Sequence, residues 1–188
     1  MAIVKTSDDR QLRSAHEIRD YLATFGIDYE QWTTAAPLGA DSSAEEILAA
    51  YKNEVEDLKS RGGYVTADVI NVTPEMPGLE EMLAKFSRDH WHDEDEVRFI
   101  IAGNGLFHIN DPTRGVISIH VMPGDLIRVP RGTHHWFNLC SDRRIQAIRL
   151  FQDISGWTPH YTGTDVDSRH QPLCFGTNVA TGFSRNMS

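Results

Sequence analysis

The sequence is poor in the features that mark several large classes of protein. It has 2 cysteines, Cys140 and Cys174, which form no C-x-x-C pair and indicate no disulfide framework. No stretch is apolar for long enough to span a membrane, and the residues after Met1 lack the apolar segment of a secretory signal. We therefore expect a cytoplasmic protein that does not bind a membrane.

Basic residues are also scarce. Lysine and arginine number 18 against 27 aspartates and glutamates, which gives a formal net charge of -9. Such a charge repels phosphate backbones, so we do not expect nucleic acid as a partner. A chain of 188 residues is long enough to bury a core of its own, and we predict a single domain over residues 1–188.

Histidine and acidic residues are concentrated between positions 90 and 96. His90 and His92 point to the same side of an extended strand, because side chains alternate between the two faces. A strand or short hairpin can return the carboxylate of Glu96 to that side, and a third imidazole follows at His135. Imidazole together with carboxylate suits a divalent transition metal such as iron or nickel. A solvated acidic turn is the alternative, but the late third histidine favours a metal site.

Residues 1–86 form a portion in which helices are predicted with a few edge strands. Two capping boxes, Ser14-x-x-Glu17 and Ser43-x-x-Glu46, each precede apolar residues at helical spacing. The second helix is expected to continue to Gly62-Gly63, and another is predicted after Pro77. The apolar stripes of these helices are interpreted as core-facing rather than as binding surfaces.

From Val97 onward the pattern changes to short β-forming runs separated by turns. The predicted strands are Val97–Ala102, Leu106–Ile109, Val116–Val121, Leu126–Pro130 and Arg144–Phe151. Their regular spacing indicates an antiparallel sandwich or barrel. We place this metal-binding core at residues 87–163, followed by a C-terminal loop and tail at 164–188, of which 184–188 are expected to be mobile.

Several motifs resemble those of known proteins. His90-x-His92-x-x-x-Glu96 followed by Gly103, and Gly124 followed by Pro130-x-Gly132 and histidine, are similar to the paired motifs of the cupin superfamily. More narrowly, four ordered blocks resemble the acireductone dioxygenase family: 90–99, His135-Trp136-Phe137, 147–151 and Gly156-Trp157-x-x-x-Tyr161-Thr162-Gly163. Asn138 and Asp89 depart from the residues usual in that family, but neither departure removes a ligand.

The resemblance implies a mainly β fold with flanking helices, a cupin β-barrel (double-stranded β-helix, jelly-roll-like). It also implies a dioxygenase of methionine salvage, which cleaves the acireductone 1,2-dihydroxy-5-(methylthio)pent-1-en-3-one with O₂. With Fe²⁺ the family yields formate and 4-methylthio-2-oxobutanoate. With Ni²⁺ it yields formate, carbon monoxide and 3-(methylthio)propanoate.

One Fe²⁺ or Ni²⁺ ion per chain is then expected on His90, His92, Glu96 and His135. These four ligands would fill a tetrahedral ion completely. An octahedral ion would keep two positions, enough for a bidentate enediolate. Two other readings stay open: a cupin that only binds a small molecule, and a zinc or manganese cupin isomerase or hydrolase that needs no oxygen.

Five further residues are candidates for the site. Arg98 and Arg149 would donate hydrogen bonds to an anionic substrate, and family counterparts at both positions favour this over internal ion pairs. Asp95 is a candidate base, with a solvated turn carboxylate as the alternative. Phe137 and Trp157 are candidates for the substrate pocket, with core packing as the alternative. We expect a monomer.

Overall fold

The computed structural model describes residues 1–33, 38, 42–153, 157–170 and 174. The predicted mobile tail at 184–188 lies outside these residues. The helices of the described part are α1 (Ala15–Ala23), α2 (Ala44–Ala50), α3 (Lys52–Gly62), α4 (Leu79–Phe86) and a 3-10 turn at Asp167–Arg169. None of them is both long and apolar enough to cross a membrane.

Two antiparallel sheets form the body of the described chain. Their strands are β1 (Ile3–Lys5), β2 (Gln11–Leu12), β3 (Asp28–Gln31), β4 (Thr66–Val72), β5 (His90–Trp91), β6 (Glu96–Gly103), β7 (Gly105–Asp111), β8 (Gly115–Val121), β9 (Asp125–Val129), β10 (His135–Leu139), β11 (Ile145–Phe151) and β12 (His160–Tyr161). The larger sheet has the order β12-β5-β10-β7-β8-β1-β2 and the smaller one β3-β9-β6-β11-β4. The predicted mainly β fold with flanking helices is confirmed.

Strand β6 is buried on both faces, which explains its unbroken run of apolar and charged residues. Glu96, Arg98 and Ile100 occupy alternate positions and face the space between the sheets. Val97 and Phe99 point the other way and pack under α2 and α3. The inward face of this strand can therefore carry charged groups into an otherwise apolar interior.

The predicted long helix after Ser43 is divided in two. The capping box at its start is confirmed, since Glu46 N donates to Ser43 Oγ at 3.2 Å and Ser43 N to Glu46 Oε2 at 2.8 Å. At Tyr51 the backbone leaves the helical region (φ -106°, ψ 21°), and its buried ring packs edge-on against Phe99 at 4.6 Å. Packing against the sheet thus overrides helix continuity. Ser14 caps α1 without a side-chain hydrogen bond.

The expectation that the cysteines form no disulfide is wrong. Cys140, just past the end of β10, is bonded to Cys174 of the C-terminal segment, 34 residues later in the sequence. The pair forms because Cys174 lies beside the end of β10. Sequence spacing carries no signal for a contact of this kind.

Candidate metal centre

Strand pairing brings the predicted ligands together from both sheets. His90 in β5 is directly opposite His135 in β10, so the two imidazoles lie on one face of the larger sheet. His92 follows β5 immediately, and Glu96 begins β6 of the smaller sheet. The four side chains therefore meet in the space between the sheets, although 39 residues separate Glu96 from His135.

The four donor groups form a compact, buried set. Glu96 Oε2 lies 2.9 Å from His135 Nε2 and 3.2 Å from His92 Nε2. All four donor atoms lie within 4.8 Å of one another, and each of the four residues is at most 2% exposed. Donors about 2.1 Å from one ion and at right angles lie about 3 Å apart. The group thus fits a single metal ion.

Backbone carbonyls orient the three imidazoles. Each Nδ1 donates to a carbonyl oxygen, in the pairs His90–Arg88 (2.6 Å), His92–Thr158 (2.8 Å) and His135–Thr133 (2.8 Å). Because a carbonyl can only accept, Nδ1 carries a proton, which leaves Nε2 as the nitrogen that can ligate an ion at the centre. Within the described residues, Nε2 of His92 has only the Glu96 carboxylate beside it, at 3.2 Å, and Nε2 of His90 has no hydrogen-bond partner. A buried nitrogen left in this way is costly, and a bound cation would satisfy it.

The electrostatics of the group favour metal-ligating protonation states for His90 and Glu96, whereas His92 binds a proton more readily than a free imidazole. Burial, together with the neighbouring His135, lowers the pKa of His90 to about 4, so this imidazole is neutral near pH 7. Burial acts to raise the pKa of Glu96, but the guanidinium of Arg98 and the imidazoles hold it well below its usual range. Burial acts to lower the pKa of His92, yet Glu96 raises it overall. A metal ion would displace that proton.

Arg98 is bound to the carboxylate of the metal group. Its Nε donates to Glu96 Oε1 at 2.6 Å, which leaves Oε2 for the imidazoles. Only 6% of its side chain is exposed, and its guanidinium lies 4.8 Å from the ring centre of Phe137 and 5.2 Å from that of Trp157. Arg98 thus both orients Glu96 and keeps it ionised.

Arg149 has a different partner. It lies opposite Asp68 across β11 and β4, and its Nε and Nη2 donate to the two carboxylate oxygens at 2.9 and 2.6 Å. The side chains of this pair are 23% and 48% exposed. On the other side of β11, Arg149 is opposite Arg98, so the two guanidinium groups neighbour each other.

A mostly apolar cavity of about 80 Å³ lies beside these arginines. Its lining consists of Ile70, Val72, Met82, Leu83, Phe86, Arg98, Phe137, Leu139, Ile145 and Arg149. Phe137 is one of the lining residues, whereas Trp157 lies against the ring of His92 and the guanidinium groups of Arg98 and Arg149. The contribution of α4 was missed, because a helical apolar stripe looks the same whether it faces a core or a cavity.

Asp95 lies in the turn before β6, and its carboxylate is occupied by other contacts. It accepts hydrogen bonds from Tyr64 Oη (3.2 Å), Arg128 Nη1 (3.1 Å) and the backbone nitrogen of Arg131 (3.0 Å). Trp157 Nε1 donates to its backbone carbonyl at 3.1 Å. These contacts favour a turn carboxylate that holds neighbouring loops.

Comparison with known proteins identifies relatives over most of the chain. Residues 5–159 match the model of the ARD/ARD' family. The acireductone dioxygenase of Picosynechococcus sp. is 39% identical over 171 residues, which are 91% of this chain and 97% of the relative. That of Pseudomonas paraeruginosa is 43% identical over 160 residues, 84% of this chain and 87% of the relative.

A solved structure is similar as well. It is the acireductone dioxygenase from Bacillus anthracis with a cadmium ion in its active centre. It matches with a TM-score of 0.78 and 34% sequence identity, and the match covers 86% of this chain and 98% of the other.

Proposed function

Because the chain belongs to the acireductone dioxygenase family, we propose that His90, His92, Glu96 and His135 hold its catalytic Fe²⁺ or Ni²⁺ ion, one per chain. Family membership makes the protein a metal-dependent dioxygenase. The observation that carries the ligand assignment is the convergence of four buried donors with three Nε2 atoms directed at one point. The cadmium ion in the active centre of the Bacillus anthracis relative supports it.

The cavity lined by Arg98, the ion-pair partner of Glu96, suits an acireductone with a short apolar tail. Met82, Leu83 and Phe86 of α4 offer apolar lining for the methylthio end, while Arg98 and Arg149 supply the charged part of the lining. When bound, the ion would supply a Lewis acid that polarises the substrate oxygens. O₂ is the second substrate of the family reaction.

The protein's own groups complete the arrangement. Arg98 keeps Glu96 ionised, and Arg149 directs a cation toward the negative charge that develops on the substrate. Phe137 and Trp157 cover the guanidinium of Arg98 and keep water from it. For Asp95, its three donors support a positioning role rather than that of the general base.

We also propose that the protein acts as a monomer. Among the described residues, the exposed large apolar side chains are Met1, Val65, Met76 and Tyr161. They are few, which supports a surface without a large apolar interface.

The test is metal exchange in the purified protein. The metal-free protein is reloaded with Fe²⁺ or Ni²⁺, supplied with acireductone and O₂, and analysed for formate and for carbon monoxide in the gas phase. Carbon monoxide should appear with nickel and be absent with iron, and neither ion should support cleavage without O₂. Identical products from both ions, or turnover under anaerobic conditions, would contradict the proposal.

A further inference from the structure

A second group of metal-ligating side chains lies outside the site described above. We propose that His120, Cys140 and Cys174, once the disulfide is reduced, bind one soft divalent ion such as Zn²⁺. The disulfide is then the oxidised form of this site. Thiolate with imidazole is a ligand set that zinc prefers, and three protein ligands leave one position for water.

The distances in this group match a zinc site. The imidazole nitrogen and the two sulfurs all lie within 4.8 Å of one another, and His120 Nε2 is 3.6 Å from Cys140 Sγ. A nitrogen and a sulfur bound to one tetrahedral zinc, at about 2.0 and 2.3 Å, are about 3.5 Å apart. The Cα atoms of the cysteines are 6.0 Å apart, so modest side-chain rotation brings the separated sulfurs to a common ion.

The scaffold holds these donors firmly. His120 and Cys140 are 2% and 7% exposed, and Cys174 is partly buried. His120 lies in β8 and Cys140 just past β10, two strands joined through β7 between them. Asn104 Oδ1 now accepts a hydrogen bond from His120 Nε2 at 2.9 Å. Metal binding would replace that proton and release the amide.

The second site is separate from the catalytic metal group. His120, Leu106 and Asn138 lie directly opposite one another across β8, β7 and β10, so their side chains share a face of the sheet. Phe107 and Phe137, one position along, point to the other face, where Phe107 approaches the ring of His135. The two groups thus lie on opposite faces of one sheet.

The chemistry balances in two steps. A phosphine reductant and one water convert the disulfide into two thiols and the phosphine into its oxide. Zn²⁺ then displaces the two thiol protons, and the two thiolates neutralise the charge of the ion. A neutral complex is acceptable at a site this buried.

The experiment uses nickel-loaded holoenzyme and Co²⁺ as the probe. After phosphine treatment and removal of the reductant, cobalt is titrated and the sulfur-to-cobalt charge-transfer absorption is recorded. The catalytic group contains no sulfur and gives no such band. Reduced wild type should develop the band with one equivalent of cobalt, whereas the untreated, disulfide-bonded protein should develop none.

Variants locate the ion. Cys174→Ser should abolish the band while the nickel content stays at one equivalent, and His120→Gln should weaken cobalt binding at least tenfold. His108→Gln is the matched control, because His108 is as buried as His120 (2%) and lies in the neighbouring strand outside the cluster. The His108→Gln variant should bind cobalt with the same affinity as wild type. Absence of the band in reduced wild type, or its persistence in Cys174→Ser, would overturn the proposal.

Discussion

At the scale of single residues, the two arginines beside the metal group differ in their ion-pair partners and in the burial of those pairs. Arg98 forms a buried pair with Glu96, the proposed metal ligand, so its replacement would leave a buried carboxylate without its cation and destabilise the fold as well as the site. Arg149 and Asp68 are partly exposed, and pairs of that kind contribute about 1 kcal/mol or less. Arg149 therefore permits a clean test of catalysis.

Arg149→Met removes the charge and keeps much of the volume. We expect turnover to fall by roughly 100-fold, since one donor to developing negative charge is lost. The free energy of unfolding should change by only about 1 kcal/mol. Both are measured on one metal-loaded sample, by steady-state kinetics and thermal melting.

Asp68→Asn serves as the control for this variant. It removes the partner's charge but leaves the guanidinium, so turnover should stay within a few-fold of wild type. Unchanged turnover per folded molecule in Arg149→Met would refute a catalytic role for Arg149.

His108 makes stability depend on pH. Burial, with a further contribution from the charge of His170, lowers its pKa from 6.5 to about 4. As the pH falls below 6.5 the unfolded chain binds a proton that the folded protein refuses, so stability is lost on acidification. When the pH is lowered from 7.5 to 5.5, His108 should lower the free energy of unfolding by about 1 kcal/mol. Denaturant unfolding at both pH values should show that His108→Gln loses less stability on acidification than wild type. Equal losses in the two proteins would show that His108 does not cause this pH dependence.

At the scale of elements, the turns of the β region could be predicted, while the shortest strands could not. The Gly103-Asn104-Gly105 turn separates β6 from β7 as expected, because glycine there permits φ of +70°. Strands β5 and β12 have two residues each and exist only because they pair beside β10. Periodicity over two residues carries no information, so they are visible only in the folded sheet.

Replacement of Gly103 by a larger residue should destabilise the fold more than replacement of a glycine with open space around it. A Cβ atom at this position would lie 2.1 Å from the backbone oxygen of Arg144, which belongs to the chain entering β11. Gly63 has nearly the same φ (+68°) but open space around its Cβ position. Gly63→Ala should cost about 1 kcal/mol through backbone strain alone, and Gly103→Ala should cost roughly 2 kcal/mol more. The free energies of unfolding of the two variants are compared by denaturant unfolding. Equal losses of stability would show that the backbone at the start of β11 shifts to make room for the methyl group.

At the scale of the whole molecule, the metal group joins the two sheets. Its members could be predicted from sequence because His90 and His92 share strand parity and His135 follows in a later β segment. The cavity wall from α4 and the Cys140–Cys174 bond could not, because both depend on which distant surfaces meet. The pattern of residues along a strand or helix predicts which face a side chain lies on. It does not predict which distant part of the chain packs against that face.

Metal removal should therefore weaken the fold as a whole. An ion at about 1,000 times its dissociation constant adds about 4 kcal/mol, which raises Tm by roughly 10 °C in a protein of this size. We expect chelation to lower Tm by that order, with reversal on adding Ni²⁺. His92→Ala should lose stoichiometric metal and show no chelator effect. Full metal content in that variant would refute the ligand set.

The hydrogen bond from His92 to the carbonyl of Thr158 has a consequence for how the enzyme is made. These two residues are 66 positions apart, and at about 5–20 residues per second the ribosome needs several seconds to add that length. Until Thr158 has been made and has folded back, the imidazole lacks the acceptor that fixes its tautomer. The full set of three oriented imidazoles is therefore complete only after residue 158 has been added to the chain.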